Sequence, residues 1–213
     1  MISHCGLRGN LYFCDRVILI FSIMKRLIST IATVFFCICS CAQSEHLTFK
    51  GVPIDGTLDA YVEKMKKAGF EYAGMFDDWT AILQGDFAGF RECAIFVSSL
   101  QSFDLVYEIS VHFDLTESWS DLYGSYSQLK EMLTMKYREL ESSEEKWIGY
   151  SEPKNDTDKM YDLWHGRGEI NTLFRTDKGK IVLEIQPVGW YSGQVFLSYW
   201  DKINSLKVAM DDL

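Results

Sequence analysis

Short runs of alternating apolar and polar residues, separated by only a few residues, recur along the chain between residues 70 and 199. Such alternation is typical of β-strands that bury one face. Gly166 and Gly179 fall between neighbouring runs, where glycine accepts the positive φ of a turn. Because parallel strands need a crossover of about a dozen residues or more, these short separations predict antiparallel hairpins. The predicted strands cover residues 70–74, 79–84, 91–98 and 105–115, and then 145–149, 160–165, 169–175, 180–187 and 194–199.

Two other segments carry the spacing of apolar residues that is typical of amphipathic helices. Thr57 can cap the first helix, which ends near Gly69, and Ser118 can cap the second, which reaches about residue 136. The apolar stripes are Leu58, Tyr61, Val62 and Met65 in the first helix, and Leu122, Tyr126, Leu129 and Leu133 in the second. After the second helix we expect a polar loop over residues 152–159 and, near the end of the chain, a short helix from Asp201.

The order of elements repeats along the chain, because each predicted helix is followed by a series of strands. We interpret residues 46–116 and 117–200 as degenerate copies of one unit. An apolar helix stripe needs an apolar sheet face to cover it. The predicted fold is therefore α+β, a tandem repeat of a helix plus four antiparallel strands that forms one continuous sheet with both helices on one face. This element order resembles the β-lactamase inhibitor protein architecture and, more distantly, the saddle of the TATA-binding protein. The resemblance implies an inhibitor-like binding module.

The first forty residues differ from the rest of the chain, and we expect them to lie outside the fold. Lys25 and Arg26 precede an apolar stretch over residues 27–39, which is the layout of a secretory signal peptide. Translation is therefore expected to begin at Met24, so that residues 1–23 precede the natural start and residues 24–41 form the signal peptide. The alternative is a membrane anchor over residues 17–40, but a span needs about 20 mainly apolar residues and two basic residues interrupt this one.

The end of the apolar stretch resembles the lipobox of bacterial lipoproteins, in the sequence Ile38-Cys39-Ser40-Cys41. The resemblance implies that Cys41 takes a diacylglycerol and becomes the first residue of the exported protein. Cys39 departs from the pattern, in which a small residue is commoner, and a competing cut after Ala42 would give a freely secreted protein. If Cys41 is lipidated, the absence of Asp at the next position favours an outer-membrane location for the protein. The protein otherwise resides in the periplasm or outside the cell.

The exported segment, residues 42–213, is long enough for one domain and is strongly acidic. It retains 17 basic and 29 acidic residues, a net charge of −12. A phosphate backbone repels such a surface, so nucleic acid is not an expected partner. Cys93 is its only cysteine, so disulfides do not stabilise the fold and packing must do so. The membrane is expected as a partner only through the lipid on Cys41.

One predicted strand carries residue types that could act in catalysis. Over residues 105–115, Leu105, Tyr107, Ile109, Val111 and Phe113 alternate with Glu108, Ser110, His112 and Asp114. Neighbours on one side of a strand lie about 7 Å apart, too far for the hydrogen bonds of a catalytic triad. We therefore expect this polar side to be a solvated sheet face. The alternative is a small periplasmic hydrolase that uses His112 with Glu108 or Asp114.

The exported segment offers few ligands for a metal ion and no motif for a cofactor. His46, His112, His165 and Cys93 have no close partner at the spacing of a zinc site. Cys93 lies in an apolar run, as an inert buried thiol would. The sequence at 155–158 lacks the glycine and the distal glutamate of a calcium-binding loop. We therefore expect no cofactor and no metal.

Aromatic residues make up 15% of the chain, and some of them stand where no core periodicity demands them. Trp190 and Tyr191 lie between Gly189 and Gly193 in the last predicted hairpin. Exposed Trp and Tyr are frequent at the centre of protein interfaces, although Trp190 could instead fold back and plug the end of the sheet. Trp164 either joins this surface or belongs to the core. The sequence thus predicts a non-catalytic module that binds an envelope protein or ligand through Trp190, Tyr191 and Trp164.

Overall fold

The computed structural model describes residues 45–138, 140–149 and 152–211. The predicted signal peptide and the lipid site Cys41 lie outside these residues. Glu45–Leu213 forms one compact unit by its internal contacts. The strands are β1 (Thr48–Phe49), β2 (Val52–Pro53), β3 (Glu71–Asp77), β4 (Thr80–Phe87), β5 (Phe90–Leu100), β6 (Leu105–His112), β7 (Leu140–Trp147), β8 (Gly168–Thr176), β9 (Gly179–Val188) and β10 (Ser192–Asp201). The helices are α1 (Leu58–Lys67), α2 (Trp119–Tyr137), α3 (Asp156–Trp164) and α4 (Lys202–Asp211).

Eight of the strands form one sheet in the order β3-β4-β5-β6-β10-β9-β8-β7, and every neighbouring pair is antiparallel. The short strands β1 and β2 form a separate hairpin. The prediction of an α+β fold with a large antiparallel sheet is thus confirmed. The centre of the sheet is the pair β6 and β10, which joins the first half of the chain to the second.

The strand register separates the side chains of the sheet into two faces. The core face contains a row of directly paired residues from five neighbouring strands, all fully buried: Leu83, Ile95, Val111, Leu197 and Leu183. One position away along each strand, the second face carries Ile82, Phe96, Ser110, Ser198 and Val182. All of these except Ser198 are partly exposed. Alternation along the strands therefore determines which face contributes to the core.

Both predicted helices form, with the predicted caps and apolar stripes. The Thr57 hydroxyl accepts a hydrogen bond from the backbone N–H of Ala60, and the Ser118 hydroxyl accepts one from Asp121. All eight residues of the two predicted stripes are buried. Helix α1 contacts β3 to β6, whereas α2 contacts β8 to β10. No helix among the described residues is long and apolar enough to span a bilayer.

The segment that precedes β8 is helical, so two predictions about it are wrong. Residues 160–165 were expected to form a strand and residues 152–159 a loop, but α3 begins at Asp156. The Asn155 side chain accepts a hydrogen bond from the backbone N–H of Asp158 and so caps the helix. Met160 and Leu163, three residues apart, provide its buried side. The helical spacing of these two residues outweighs the strand propensity of the run.

A β-bulge interrupts the strict alternation that was predicted for β6. Ser98 pairs with Glu108 but Ser99 pairs with Val106, which leaves Tyr107 as an extra residue. Val106 is therefore buried, and Tyr107 contacts Trp200 at 5.8 Å between ring centroids. Ile109, Val111 and Phe113 are buried as predicted.

Candidate functional site

The hairpin between β9 and β10 presents the two aromatic residues that the sequence singled out. Val188 pairs with Ser192, so the loop consists of Gly189, Trp190 and Tyr191. Tyr191 has φ of 56° and Gly189 has φ of 65°. A positive φ costs a residue with a β-carbon about 1 to 2 kcal/mol relative to glycine, so folding alone would favour glycine or asparagine at position 191. The aromatic side chain at this position is therefore not explained by the turn.

Helix α3 ends beside this hairpin and supplies the third predicted residue, Trp164. The indole N–H of Trp164 donates a hydrogen bond to the backbone oxygen of Gly189 at 3.1 Å. Its ring stacks on Tyr191 with 4.5 Å between centroids and 21° between planes. Trp190 lies 5.4 Å from the same ring. The structure therefore brings all three predicted binding residues together and holds the loop against the helix end.

Two further residues, Tyr161 and His165, join these three in one surface, which we call the aromatic cluster. The rings of Tyr161 and His165 lie 4.0 Å apart, and His165 also contacts Trp164 at 4.5 Å. The Trp190 side chain is 79% exposed and Tyr191 is 51% exposed. Trp190 therefore does not plug the end of the sheet, which was the alternative to a surface role.

Sequence reasoning missed Tyr161 and His165 because it assigned their segment to a strand. The pattern that would have found them is the helix cap at Asn155, followed by apolar residues at Met160 and Leu163. A helix over this segment places Tyr161 and His165 one turn apart on the same side. That spacing brings the two rings into contact with each other, and His165 in turn contacts Trp164.

A cleft of about 390 Å³ adjoins the aromatic cluster, between α3 and the start of α2. Its walls combine apolar side chains with two carboxylates, and the lining residues are Glu117, Ser118, Trp119, Asp156, Thr157, Met160, Tyr161 and Tyr191. Lys159 also lies near it, with its ammonium 5.3 Å from the Trp119 ring. A partner that covers Trp190 and Tyr191 would therefore also find a recess beside them.

His112, the residue of the catalytic alternative, lies on the second face of the sheet and packs between two phenylalanines. Its ring stacks on Phe96 at 4.1 Å and meets Phe196 edge-on at 4.4 Å. Burial lowers the pKa of His112 to about 4, so the imidazole is neutral at neutral pH. These contacts are those of a packed aromatic ring.

The two carboxylates proposed to assist His112 are placed elsewhere. Glu108 lies four residues away on the same strand and hydrogen bonds Ser198, and burial raises its pKa to about 7. The hydroxyls of Ser198 and Ser110 lie 3.1 Å apart. Asp114 follows the end of β6 and is exposed. Within the described residues, the structure does not assemble these groups into a hydrogen-bonded catalytic set.

The potential metal ligands are scattered over the fold. The His46 imidazole pairs with Asp201 at 3.0 Å, and Nδ1 of His165 lies 2.7 Å from the backbone oxygen of Tyr161. Cys93 is buried in β5, and burial raises the pKa of its thiol. The 155–158 segment caps α3. Among the residues that the structure describes, no three His, Cys, Asp or Glu side chains are grouped to hold a metal ion.

Comparison with known proteins returns no similarity that would identify this site. No protein family model, no curated protein sequence and no solved structure matches the chain. The aromatic cluster therefore has to be interpreted from its own geometry.

Proposed function

We propose that this protein is a non-catalytic binding module of the bacterial cell envelope, and that the aromatic cluster is the anchor for its protein partner. The observation that carries the proposal is the loop Gly189-Trp190-Tyr191, in which a strongly exposed Trp190 follows a glycine and precedes a tyrosine at positive φ. Exposed tryptophan and tyrosine contribute disproportionately to binding energy at interfaces.

The way in which the cluster is held supports a binding role. Trp164 fixes the loop through the hydrogen bond to Gly189 and the stack on Tyr191. Aromatic side chains that are already ordered lose little conformational entropy when a partner covers them. The cleft beside them is a recess, so a partner surface with a protrusion would fit here better than a flat one.

The proposed origin of the fold fits an inhibitor-like module. We infer that the sheet consists of two copies of a helix plus four strands, α1 with β3 to β6 and α2 with β7 to β10, and that both helices cover the core face. Two observations support this: the strand order is symmetric about the β6–β10 pair, and the buried rows continue across it. Along the chain, helix α3 is inserted between β7 and β8, and it is an addition to the second copy. The aromatic cluster thus lies partly on an element without a counterpart in the first copy.

Site-specific photocrosslinking tests the proposed anchor in cells that naturally express the protein. A benzophenone amino acid in place of Trp190 is expected to form one prominent adduct with an envelope protein, whereas the same group in place of Met135 is not. Met135 is a suitable control because it is 66% exposed on α2. The purified partner should then lose affinity about 30-fold or more with Trp190→Ala plus Tyr191→Ala, which corresponds to about 2 kcal/mol. Equal adducts at both positions would contradict the proposal.

Trp190 is expected to contribute almost nothing to folding. Because its ring is largely exposed, Trp190→Ala should change the free energy of unfolding by less than about 0.5 kcal/mol. The matched control is Trp119→Ala, since Trp119 is buried at the start of α2 and its removal should cost about 3 kcal/mol or more. Urea denaturation of both variants measures the difference. A similar loss in the two variants would place Trp190 in the core instead.

The proposed location rests on the sequence at the lipobox. We propose that Cys41 carries a lipid that holds the domain at the outer membrane, with plain secretion as the alternative. Labelled palmitate is expected to enter the wild-type protein in a Gram-negative host and to be absent from Cys41→Ser, because only the thiol at the cut site takes the lipid. An unlabelled product that begins at Gln43 would show secretion without lipid.

A further inference from the structure

The two edges of the eight-stranded sheet differ in a way that points to a second docking surface. Strand β7 forms one edge and carries the charged residues Glu141, Glu144, Glu145 and Lys146, which discourage pairing with another chain. Strand β3 forms the other edge and, among the described residues, pairs only with β4. Tyr72, Met75 and Phe76 of β3 and the nearby Trp79 are all exposed, Phe76 by 69%. An apolar patch of this kind on an edge strand is typical of an interaction site.

A groove runs beside the β3 edge, and part of the apolar patch lines it. It has a volume of about 450 Å³ and lies between α1 and β3, where Leu58 and Val62 of the helix face Tyr72 and Met75 of the strand. A strand added at the edge would direct alternate side chains into this groove. The remaining side chains would point toward Phe76, whose ring meets Phe96 on the second face at 5.6 Å.

The charges around the edge define the partner. Glu71 and Asp77 stand at the two ends of β3, and Asp78 follows directly. Asp59 and Glu63 lie on the helix side of the groove, with Lys66 paired to Glu63 at 2.7 Å. A second copy of this chain fits poorly, because two antiparallel β3 strands centred on Gly74 would place Glu71 opposite Asp77. Like charges in directly opposed positions are destabilising.

We propose that the β3 edge binds a short extended segment of a partner protein, with apolar residues at its centre and basic residues at both ends. The segment pairs with β3 through main-chain hydrogen bonds and inserts alternate side chains between α1 and β3. Register shifts occur between Tyr72 and Gly74 and between Met75 and Asp77, and these bulges restrict regular pairing to a few residues. The partner segment is therefore short. This site is independent of the aromatic cluster.

The test uses a defined probe and the exported form of the protein. The probe is a labelled, end-blocked peptide of sequence Lys-Lys-Val-Thr-Ile-Thr-Val-Lys-Lys, and its binding is followed by fluorescence anisotropy. Two peptide controls accompany it: one is methylated on alternate backbone nitrogens, and the other carries glutamate in place of every lysine. Both controls are expected to bind at least about tenfold more weakly, because the first loses main-chain donors and the second has the wrong charge.

Variants of the protein locate the binding. Met75→Lys and Phe76→Lys, two exposed positions of β3, are each expected to weaken binding of the probe by about tenfold or more. Met135→Lys on α2 is the matched control and should bind like the wild type. Melting curves establish that the variants are folded. Equal affinity in the wild type and both β3 variants, or undiminished binding of the methylated peptide, overturns the proposal. A concentration-dependent dimer that Met75→Lys dissociates also overturns it, because the occupant would then be a second copy.

Discussion

Replacing Asn204 with alanine is expected to lower the free energy of unfolding by about 3 kcal/mol, because two buried carbonyl oxygens lose their donor. The side-chain amide of Asn204 donates to the backbone oxygen of Ile54 at 3.1 Å and to that of Val106 at 2.9 Å. Asn204 is fully buried in α4, so water does not readily replace these bonds. For a domain of this size, the loss corresponds to a decrease in Tm of about 10 °C.

Two further variants make the expectation specific. Asn204→Asp should be destabilised at least as strongly at pH 7, since a carboxylate has nearly the same shape but donates no hydrogen bond, and the Asp55 carboxylate lies 3.4 Å from the side-chain nitrogen of Asn204. Asn171→Ala is the matched control, because Asn171 is a partly exposed residue on β8 and its loss should cost less than about 1 kcal/mol. Thermal and urea denaturation followed by circular dichroism measure all three. A loss below 1 kcal/mol in Asn204→Ala would contradict the predicted role of the amide.

Asn204 belongs to a polar network that joins segments distant in sequence. The carboxylate of the fully buried Asp201 accepts hydrogen bonds from the backbone N–H of Leu47 at 2.7 Å and from that of Asn204 at 2.9 Å. It also lies 3.0 Å from the His46 imidazole. The network thereby links the segment before β1, the end of β10 and the start of α4. Buried groups that are fully paired in this way rigidify the structure around them.

The parts of the fold that were predicted correctly are those in which local pattern and tertiary environment agree. The stripes of α1 and α2 repeat at the helical period and carry a capping residue at the right place, so local sequence alone was sufficient. The same holds for most of the strands, because one face of each is buried in the core and the residues alternate accordingly. Antiparallel pairing followed from the short connections.

The errors arose where a long-range constraint determined the local structure. From the sequence alone, β6 alternates strictly and Tyr107 fits the pattern. The bulge at Tyr107 is set by the pairing with β5, which fixes the register on both sides of it. Likewise, the apolar residues of α3 suit a strand as well as a helix over six residues, and the cap at Asn155 decides between them. The buried polar network was not predicted at all, since His46, Asp201 and Asn204 are brought together only by the folded chain.

The candidate site could be predicted in part. An aromatic pair between glycines in a hairpin identifies Trp190 and Tyr191 from sequence, because no core periodicity explains them. The contact with Trp164 depends on how the end of α3 packs against the hairpin, which the sequence does not specify. Nothing in the local pattern of residues 71–77 indicates that β3 offers an exposed edge, since whether a strand lies at an edge depends on the sheet order.

Glu108→Gln is expected to stabilise the protein by about 3 kcal/mol at pH 8 and to leave its stability almost unchanged at pH 4. Burial on the second face raises the pKa of Glu108 to about 7, from an ordinary value near 4.5. The Ser198 hydrogen bond and the Lys180 charge oppose this increase in the pKa, and the Glu184 carboxylate adds to it. Between pH 4.5 and 7 the folded protein holds a proton that the unfolded chain has released, so its stability decreases as the pH rises through this range. Glutamine stays neutral and removes that loss.

Urea denaturation of the wild type and of Glu108→Gln at pH 4 and pH 8 measures the effect. Glu131→Gln provides the control, because Glu131 is exposed on α2 and its loss should change stability little at either pH. An equal difference between wild type and Glu108→Gln at both pH values would show that the raised pKa of Glu108 does not contribute, and that the variant acts through packing alone.

His112 should make the stability of Glu108→Gln depend on pH, whereas in the wild type the opposite contribution of Glu108 offsets this dependence. Burial lowers the pKa of His112 from 6.5 to about 4, so the folded protein binds fewer protons than the unfolded chain in this range and loses stability as the pH falls from 6.5 to 4. In the wild type, the contributions of Glu108 and His112 have opposite slopes and nearly cancel between about pH 4.5 and 6.5. Of these two contributions, only that of His112 remains in Glu108→Gln. The stability of this variant should therefore increase as the pH rises from about 4 to 6.5 and level off above it, whereas that of the wild type should change little between about pH 4.5 and 6.5.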